Sequence, residues 1–202
     1  MFKKISLVTL LTLGTLSASD TLKPMLQMGY DWGGTTLATV YHDGYYDQGT
    51  EKIRAGQGLS FEAGATIDNP SSNVELRFLI GYKFDSDSAS NGDVTWDRIP
   101  FTGLAMFKAN RWRFGGGVTY HLNPELSGGF GGDNVSAVDG EYKNAFGGVA
   151  QIQYMATDSL GIGIKGTFIE YELKSDPSYK AKGNSMGFVI SYAFGNERSE
   201  FR

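Results

Sequence analysis

Histidine is the side chain that titrates nearest neutral pH, and this 202-residue chain has two, His42 and His121, and no cysteine. An acyl-transfer site needs a nucleophile within hydrogen-bond reach of its base, and an acid to orient that base. Two residues after His121, on the same face of an extended segment, stands Asn123, which cannot replace a serine nucleophile. Ser127 and Glu141 come later, on a loop. Two histidines alone make a weak metal site. The run Asp85-Ser-Asp87-Ser-Ala-Ser-Asn91-Gly-Asp93 has the carboxylate density of a calcium loop. Ser90, however, stands where such a loop needs glycine, and Trp96 where its bidentate glutamate belongs, so this is expected to be a solvated acidic loop. Ser127-Gly128-Gly129-Phe130-Gly131-Gly132 lacks the helix and lysine that complete a phosphate cradle. No catalytic, cofactor-binding or metal residue is assigned, no cofactor is expected, and the chain does not read as an enzyme.

Composition and the first residues say where the chain works. Lys3 and Lys4 precede an apolar run from Ile5 to Leu16, too short to span a bilayer, and Ser17-Ala18-Ser19 supplies small residues for a signal peptidase. Residues 1–19 are expected to be a secretory signal peptide, cleaved after Ser19 or after Ala18, and 20–202 one domain. Without cysteine there is no lipid-anchored N-terminus, disulfide or thiolate metal site. A net charge of −4 argues against nucleic acid as a partner. The 28 Gly, 13 Phe, 11 Tyr and 3 Trp are unusual for a soluble domain, and a slightly negative mean hydropathy does not exclude a barrel, which shows lipid only every second residue.

Period two dominates the rest. Val74, Leu76, Phe78, Ile80, Tyr82 and Phe84 alternate with Glu75, Arg77, Leu79, Gly81, Lys83 and Asp85. Ile53, Ala55, Leu59, Phe61, Ala63, Ala65 and Ile67 share one face of the preceding segment, with Arg54 and Glu62 on the other. Trp112, Phe114, Val118 and Tyr120 oppose Arg113, Thr119 and His121; Met186, Phe188, Ile190, Tyr192 and Phe194 oppose Gly187, Val189 and Ser191. Weaker runs centre on Leu26–Trp32, Ile99–Phe107, Phe146–Tyr154 and Leu160–Phe168, making eight strands. In the run through Phe101 the apolar parity fails above Pro100, where Val94 and Trp96 change face; a bulge or an exit from the membrane is expected there.

The connections alternate strictly. Short ones lie at Asp68–Asn73, Ala109–Asn110 and Ala156–Asp158; long polar ones at His42–Glu51, Ser86–Gly92, Asn123–Glu141 and Lys174–Lys182. Tight periplasmic turns and long outer loops have this rhythm in outer-membrane barrels, and a soluble lipocalin-like barrel has no reason to keep it. A two-residue turn at Ala109–Asn110 would set Phe107 against Trp112 and Arg98 against His121, and a turn around Thr157 would set Tyr154 against Leu160. Asp31, Arg54, Glu62, Glu75, Arg77, Lys83, Arg113 and Lys165 then face a lumen that eight strands leave barely wide enough for side chains. They should form ion pairs, with Glu62 and Arg77 as one of them.

On these residues the chain resembles the family of small eight-stranded outer-membrane β-barrels that includes the transmembrane domain of outer-membrane protein A. Ser185-Met186-Gly187-Phe188-Val189-Ile190-Ser191-Tyr192 is similar to that family's closing assembly signal. The resemblance implies an all-β, eight-stranded antiparallel up-and-down barrel in the bacterial outer membrane. It also implies contact with outer-membrane lipids and lipopolysaccharide, and handling by the barrel-assembly machinery through the last strand. Such barrels usually end on an aromatic residue, whereas Gly195 to Arg202 follows Phe194 here. No periplasmic peptidoglycan-binding domain is recognised, so cell-wall anchoring does not carry over. The functional expectation is a structural or surface-interaction protein with its lumen closed by side chains and an extracellular ligand that is unknown. The alternatives are a lipid A-modifying acyl hydrolase, whose His-x-Ser pattern fails at Asn123, and a narrow small-solute channel.

Overall fold

The computed structural model describes residues 21–43, 48–89, 92–128, 135–137 and 140–195; the signal segment, most of the glycine-rich stretch and the end of the tail lie outside them. The strands are β1 (Leu22–Trp32), β2 (Thr36–Asp43), β3 (Gln48–Arg54), β4 (Gly58–Asp68), β5 (Val74–Ala89), β6 (Gly92–Ala109) and β7 (Trp112–Gly128). They continue as β8 (Val135–Ala137), β9 (Gly140–Glu141), β10 (Ala145–Met155), β11 (Leu160–Glu172), β12 (Lys180–Lys182) and β13 (Ser185–Ala193). Eight of them close into an antiparallel barrel in the order β1-β4-β5-β6-β7-β10-β11-β13, with β13 returning to β1. Closure leaves no unpaired edge around the barrel wall, which hydrocarbon would not tolerate.

The faces follow the alternation. Leu26, Met28, Phe78, Val118, Phe168 and Phe188 point outward, Phe78 being 55% exposed, while Gln27, Leu79, Thr119 and Val189 fill the interior. Trp112 stacks edge-on against Tyr154 at the end with short turns, and Tyr30 and Trp32 cluster with Phe188 at the other, the positions of two aromatic girdles.

Several expectations are corrected. The turn between β6 and β7 is Asn110–Arg111, with Ala109 opposite Trp112, because Asn110 takes the left-handed backbone (φ 53°) that alanine disfavours. Phe107 therefore pairs Phe114 rather than Trp112, and Pro100, not Arg98, lies opposite His121. Likewise Tyr154 pairs Ile162, not Leu160. Both shifts are by two residues, so every face is kept.

Of the two explanations for the failed apolar parity past Pro100, exit from the membrane fits β6, and a bulge is present as well, on the neighbouring strand. Even-numbered residues of β6 face inward without interruption from Met106 to Val94. The register slips between Asp97 and Ile99 because β7 carries the extra residue there, at Asn123 (φ 46°). Past it, inward positions change from His121 to Leu126.

The largest departure concerns the first outer connection. Ile53 and Ala55 do not continue the lipid face of β4; they belong to a hairpin, β2–β3, that folds over the barrel mouth and joins β8 in a separate three-stranded sheet. Glycines make its feet. A Cβ at Gly34 (φ 91°) would lie 2.5 Å from the Gly56 nitrogen, and one at Gly58 (φ 135°) 2.4 Å from the Phe84 carbonyl oxygen. The supposed acidic loop is also strand: Asp85, Asp87 and Asp93 lie where β5 and β6 run on past the barrel.

Candidate functional site

Burial divides the interior into three levels. Nearest the short turns, Arg77 is held by Glu75 and by the Gln153 carbonyl oxygen, and Arg113 approaches the other Glu75 oxygen at 3.4 Å. Thr66 donates to Glu75 at 2.9 Å, and Gln153 donates to Ser191 at 3.0 Å. Glu62 and Arg77, expected to pair, do not: Arg77 lies opposite Thr66, and Glu62 is reached across the lumen by Lys165 at 3.2 Å.

The middle level is centred on Asp31, which is wholly buried. Lys83 donates to its Oδ2 at 2.6 Å and Lys165 stands 3.7 Å away, bridging Asp31 to Glu62. Charges buried this deeply stay ionised only when paired and hydrogen-bonded. Lys83 also donates to the Gly56 carbonyl at 2.7 Å, Arg98 to the Gln57 carbonyl at 2.6 Å, and the Trp96 indole to the Ala55 carbonyl at 3.0 Å. Three consecutive carbonyls at the foot of the hairpin are thus fastened to the barrel. Arg98 also lies 5.2 Å from the centre of the Trp96 ring. Arg54, expected in the lumen, sits half-buried at the end of β3.

Above this level the interior turns apolar. Leu37, Val40, Ile53 and Ala55 from the hairpin pack on Val94, Trp96, Leu126, Tyr142, Ile169 and Tyr171. Trp96 is the centrepiece, with Tyr142 and Tyr171 edge-on at 5.1 and 5.3 Å. The Tyr142 hydroxyl is buried there without a hydrogen-bond partner among the described residues, and burial pushes its phenol well above the ordinary value.

His121 is at the seam between the second and third levels, 3% exposed, with Nδ1 2.6 Å from the Tyr171 hydroxyl. Asn123 is the bulged residue itself, and its side chain is exposed, as are Ser127 and Glu141. Among the described residues the hydrogen-bond partner of His121 is the Tyr171 phenol, and neither Ser127 nor Glu141 is brought to it as a hydrolytic constellation would need. The side chain of His42 lies outside what is described, and among the described residues no group of three metal-ligating side chains converges. Beside His121 a cavity of about 10 Å³, lined by Glu62, Lys83, Thr102, Thr119 and Lys165, has room for no more than one water. Buried side chains, among them Arg77, Gln151, Gln153, Met106 and Val189, fill the described interior around it.

An apolar outer belt between aromatic girdles, a charged interior and a wall with no free edge define a transmembrane β-barrel of the outer-membrane class. No protein-family model matches the chain, and no curated protein matches it in sequence. Among solved structures it is similar to Neisserial surface protein A, at 12% identity over 86% of this chain and 97% of that one, with a TM-score of 0.43. It is also similar to Ail, the attachment invasion locus protein of Yersinia pestis in complex with the heparin analogue sucrose octasulfate, at 13% identity over 86% and 98%, TM-score 0.43. A third similarity is to the outer membrane protein AlkL in lipid bilayers, at 14% identity over 90% and 94%, TM-score 0.39.

Proposed function

We propose that the chain is a secreted protein, with residues 1–19 as its signal peptide, that inserts in the bacterial outer membrane and presents a rigid head at the cell surface. The observation that carries this reading is the hairpin β2–β3, which shares an apolar core with the strand ends beneath it and is fastened to the barrel by Trp96, Lys83 and Arg98. A head built this firmly is suited to recognition or to envelope structure, and a plugged lumen is not suited to conduction. Outer-membrane lipids and lipopolysaccharide are the partners of the apolar belt, and β13 is the strand offered to the assembly machinery. No catalytic role is assigned.

Tags inserted at Gly131 should be reached by antibody on intact cells, and tags beside Asn110 only after the outer membrane is permeabilised. Labelling of Asn110 alone on intact cells would invert the topology. Purified protein in planar bilayers should give no conductance steps, and lipid A from cells with and without it should have the same mass. Stepwise current would return the channel reading; a lost acyl chain abolished by His121→Ala would return the hydrolase.

A further inference from the structure

Among the described residues, two strand edges of the cell-surface head meet no other strand and border one groove. In β3 the Ala55 end fixes the parity. The Ala55 N–H bonds back to Thr35, so odd residues address β2, and the N–H and C=O of Thr50 and Lys52 point to the open side. In β5 the Phe84 carbonyl points at Gly58, where β4 begins, so the main-chain groups of Ser86 and Ser88 point the same way, past the end of β4. Among the described residues, β5 beyond Phe84 is laddered only to β6. The groove between the edges measures about 400 Å³, the volume of roughly three residues of extended chain, and is lined by Tyr30, Glu51, Lys52, Ile53, Asp85 and Asp87.

Its charge is one-sided, with three carboxylates against one ammonium. Asp85 accepts the Arg54 backbone N–H, while its Oδ2 is buried with no hydrogen-bond partner among the described residues. Edges left open are liabilities that proteins blunt with charge, proline, a bulge or a covering loop; the described part of these two carries charge alone, on Glu51, Lys52, Asp85 and Asp87, with neither proline nor bulge.

We infer that this slot receives an extended, basic peptide segment of a partner protein, which adds as a strand between β3 and β5. This rests on the reading of the head as a surface-recognition element and names the partner's chemistry. Main-chain bonds to Thr50 and Lys52 on one side and Ser86 and Ser88 on the other give affinity, and Glu51 and Asp87 select lysine or arginine at alternate positions.

The test uses full-length protein in nanodiscs and the capped hexapeptide Lys-Val-Lys-Val-Lys-Val, compared with its Glu-Val counterpart and with an analogue N-methylated at every second amide. The basic peptide should bind, shift the amide resonances of Thr50, Lys52, Ser86 and Ser88, and lose binding on N-methylation. Lys52→Pro removes an N–H that no strand uses, and should weaken binding about fivefold or more, the value of one lost hydrogen bond. Glu51→Gln with Asp87→Asn should weaken it further and flatten its salt dependence. Equal binding of the N-methylated or the acidic peptide, indifference to Lys52→Pro, or no binding at millimolar peptide would each overturn the inference. A Gly131 tag that stays reachable on intact cells alongside such a failure confines it to the slot; an unreachable tag would take down the surface reading itself.

Discussion

Two halves of the same barrel obey opposite rules. Around Phe78, Phe101 and Val118 the apolar side chains are outside and the interior is charged. Past Arg98 and His121 the same strands put Val94, Trp96 and Leu126 inside, and Asp97 and Glu125 outside. β6 keeps its inward parity throughout, so what changes is the medium against the outer face, from hydrocarbon to water. The plug and the head are therefore stabilised differently: the plug by paired charges that cannot be removed singly, the head by packing, as in a soluble protein.

That contrast can be broken from either side. Asp31→Ala would strand Lys83 and Lys165, and should cost about 3–5 kcal/mol, read as lowered urea resistance of the whole barrel in detergent or bilayer. Trp96→Ala should cost a similar 3–5 kcal/mol but locally. Proteolysis and hydrogen exchange should then increase in β2–β3 while the strands near the short turns stay protected. If Trp96→Ala loosens both ends equally, the head is not a separate layer.

Next in size is the lipid face. Phe78→Arg places a charge in hydrocarbon and should cost about 2–4 kcal/mol, with Leu79→Gln, facing the lumen, costing less. The seam itself is tested by Asn123→Val. A β-branched residue in left-handed backbone should cost about 1–2 kcal/mol, whereas Asn123→Gly should be tolerated. The smallest effect belongs to the exposed pair Glu141–Lys174, 2.7 Å apart. The Lys174 ammonium holds the Glu141 carboxyl below its usual range, so what the pair contributes is present above that range and fades as pH falls through the lowered value. Lys174→Ala should remove the pH dependence without a measurable change in the midpoint of unfolding at neutral pH.

The eight-stranded barrel, its faces and its loop rhythm were legible because alternation and turn residues are local signals. Register was less so. Parity does not see a shift of two residues, so Phe107 was set against Trp112 instead of Phe114. The ion pairs were beyond reach, since Lys165 meets Glu62 across the lumen over 103 positions of sequence, and such contacts depend on the height at which strands cross. The head was missed for a physical reason. Ile53 and Ala55 continue the alternation of the lipid face, where apolar means outward, although they lie above it, where apolar means inward; Val94 and Trp96 carry that change of rule as the failed parity past Pro100. Gly33-Gly34 and Gly56-Gln57-Gly58, flanking Leu37 to Ala55, were the signal that a separate hairpin begins and ends there.

The absence of cysteine makes the central claim directly measurable. Single cysteines placed along β6 and spin-labelled in bilayers would report their surroundings through collisions with oxygen, which prefers hydrocarbon, and with a water-soluble nickel chelate. Labels at Phe107, Ala105 and Phe101 should collide with oxygen, labels at Asp97 and Thr95 with nickel, and labels at Leu104, Thr102, Trp96 and Val94 with neither. A change of phase at Pro100, with Trp96 and Val94 becoming accessible and Asp97 protected, would contradict the account.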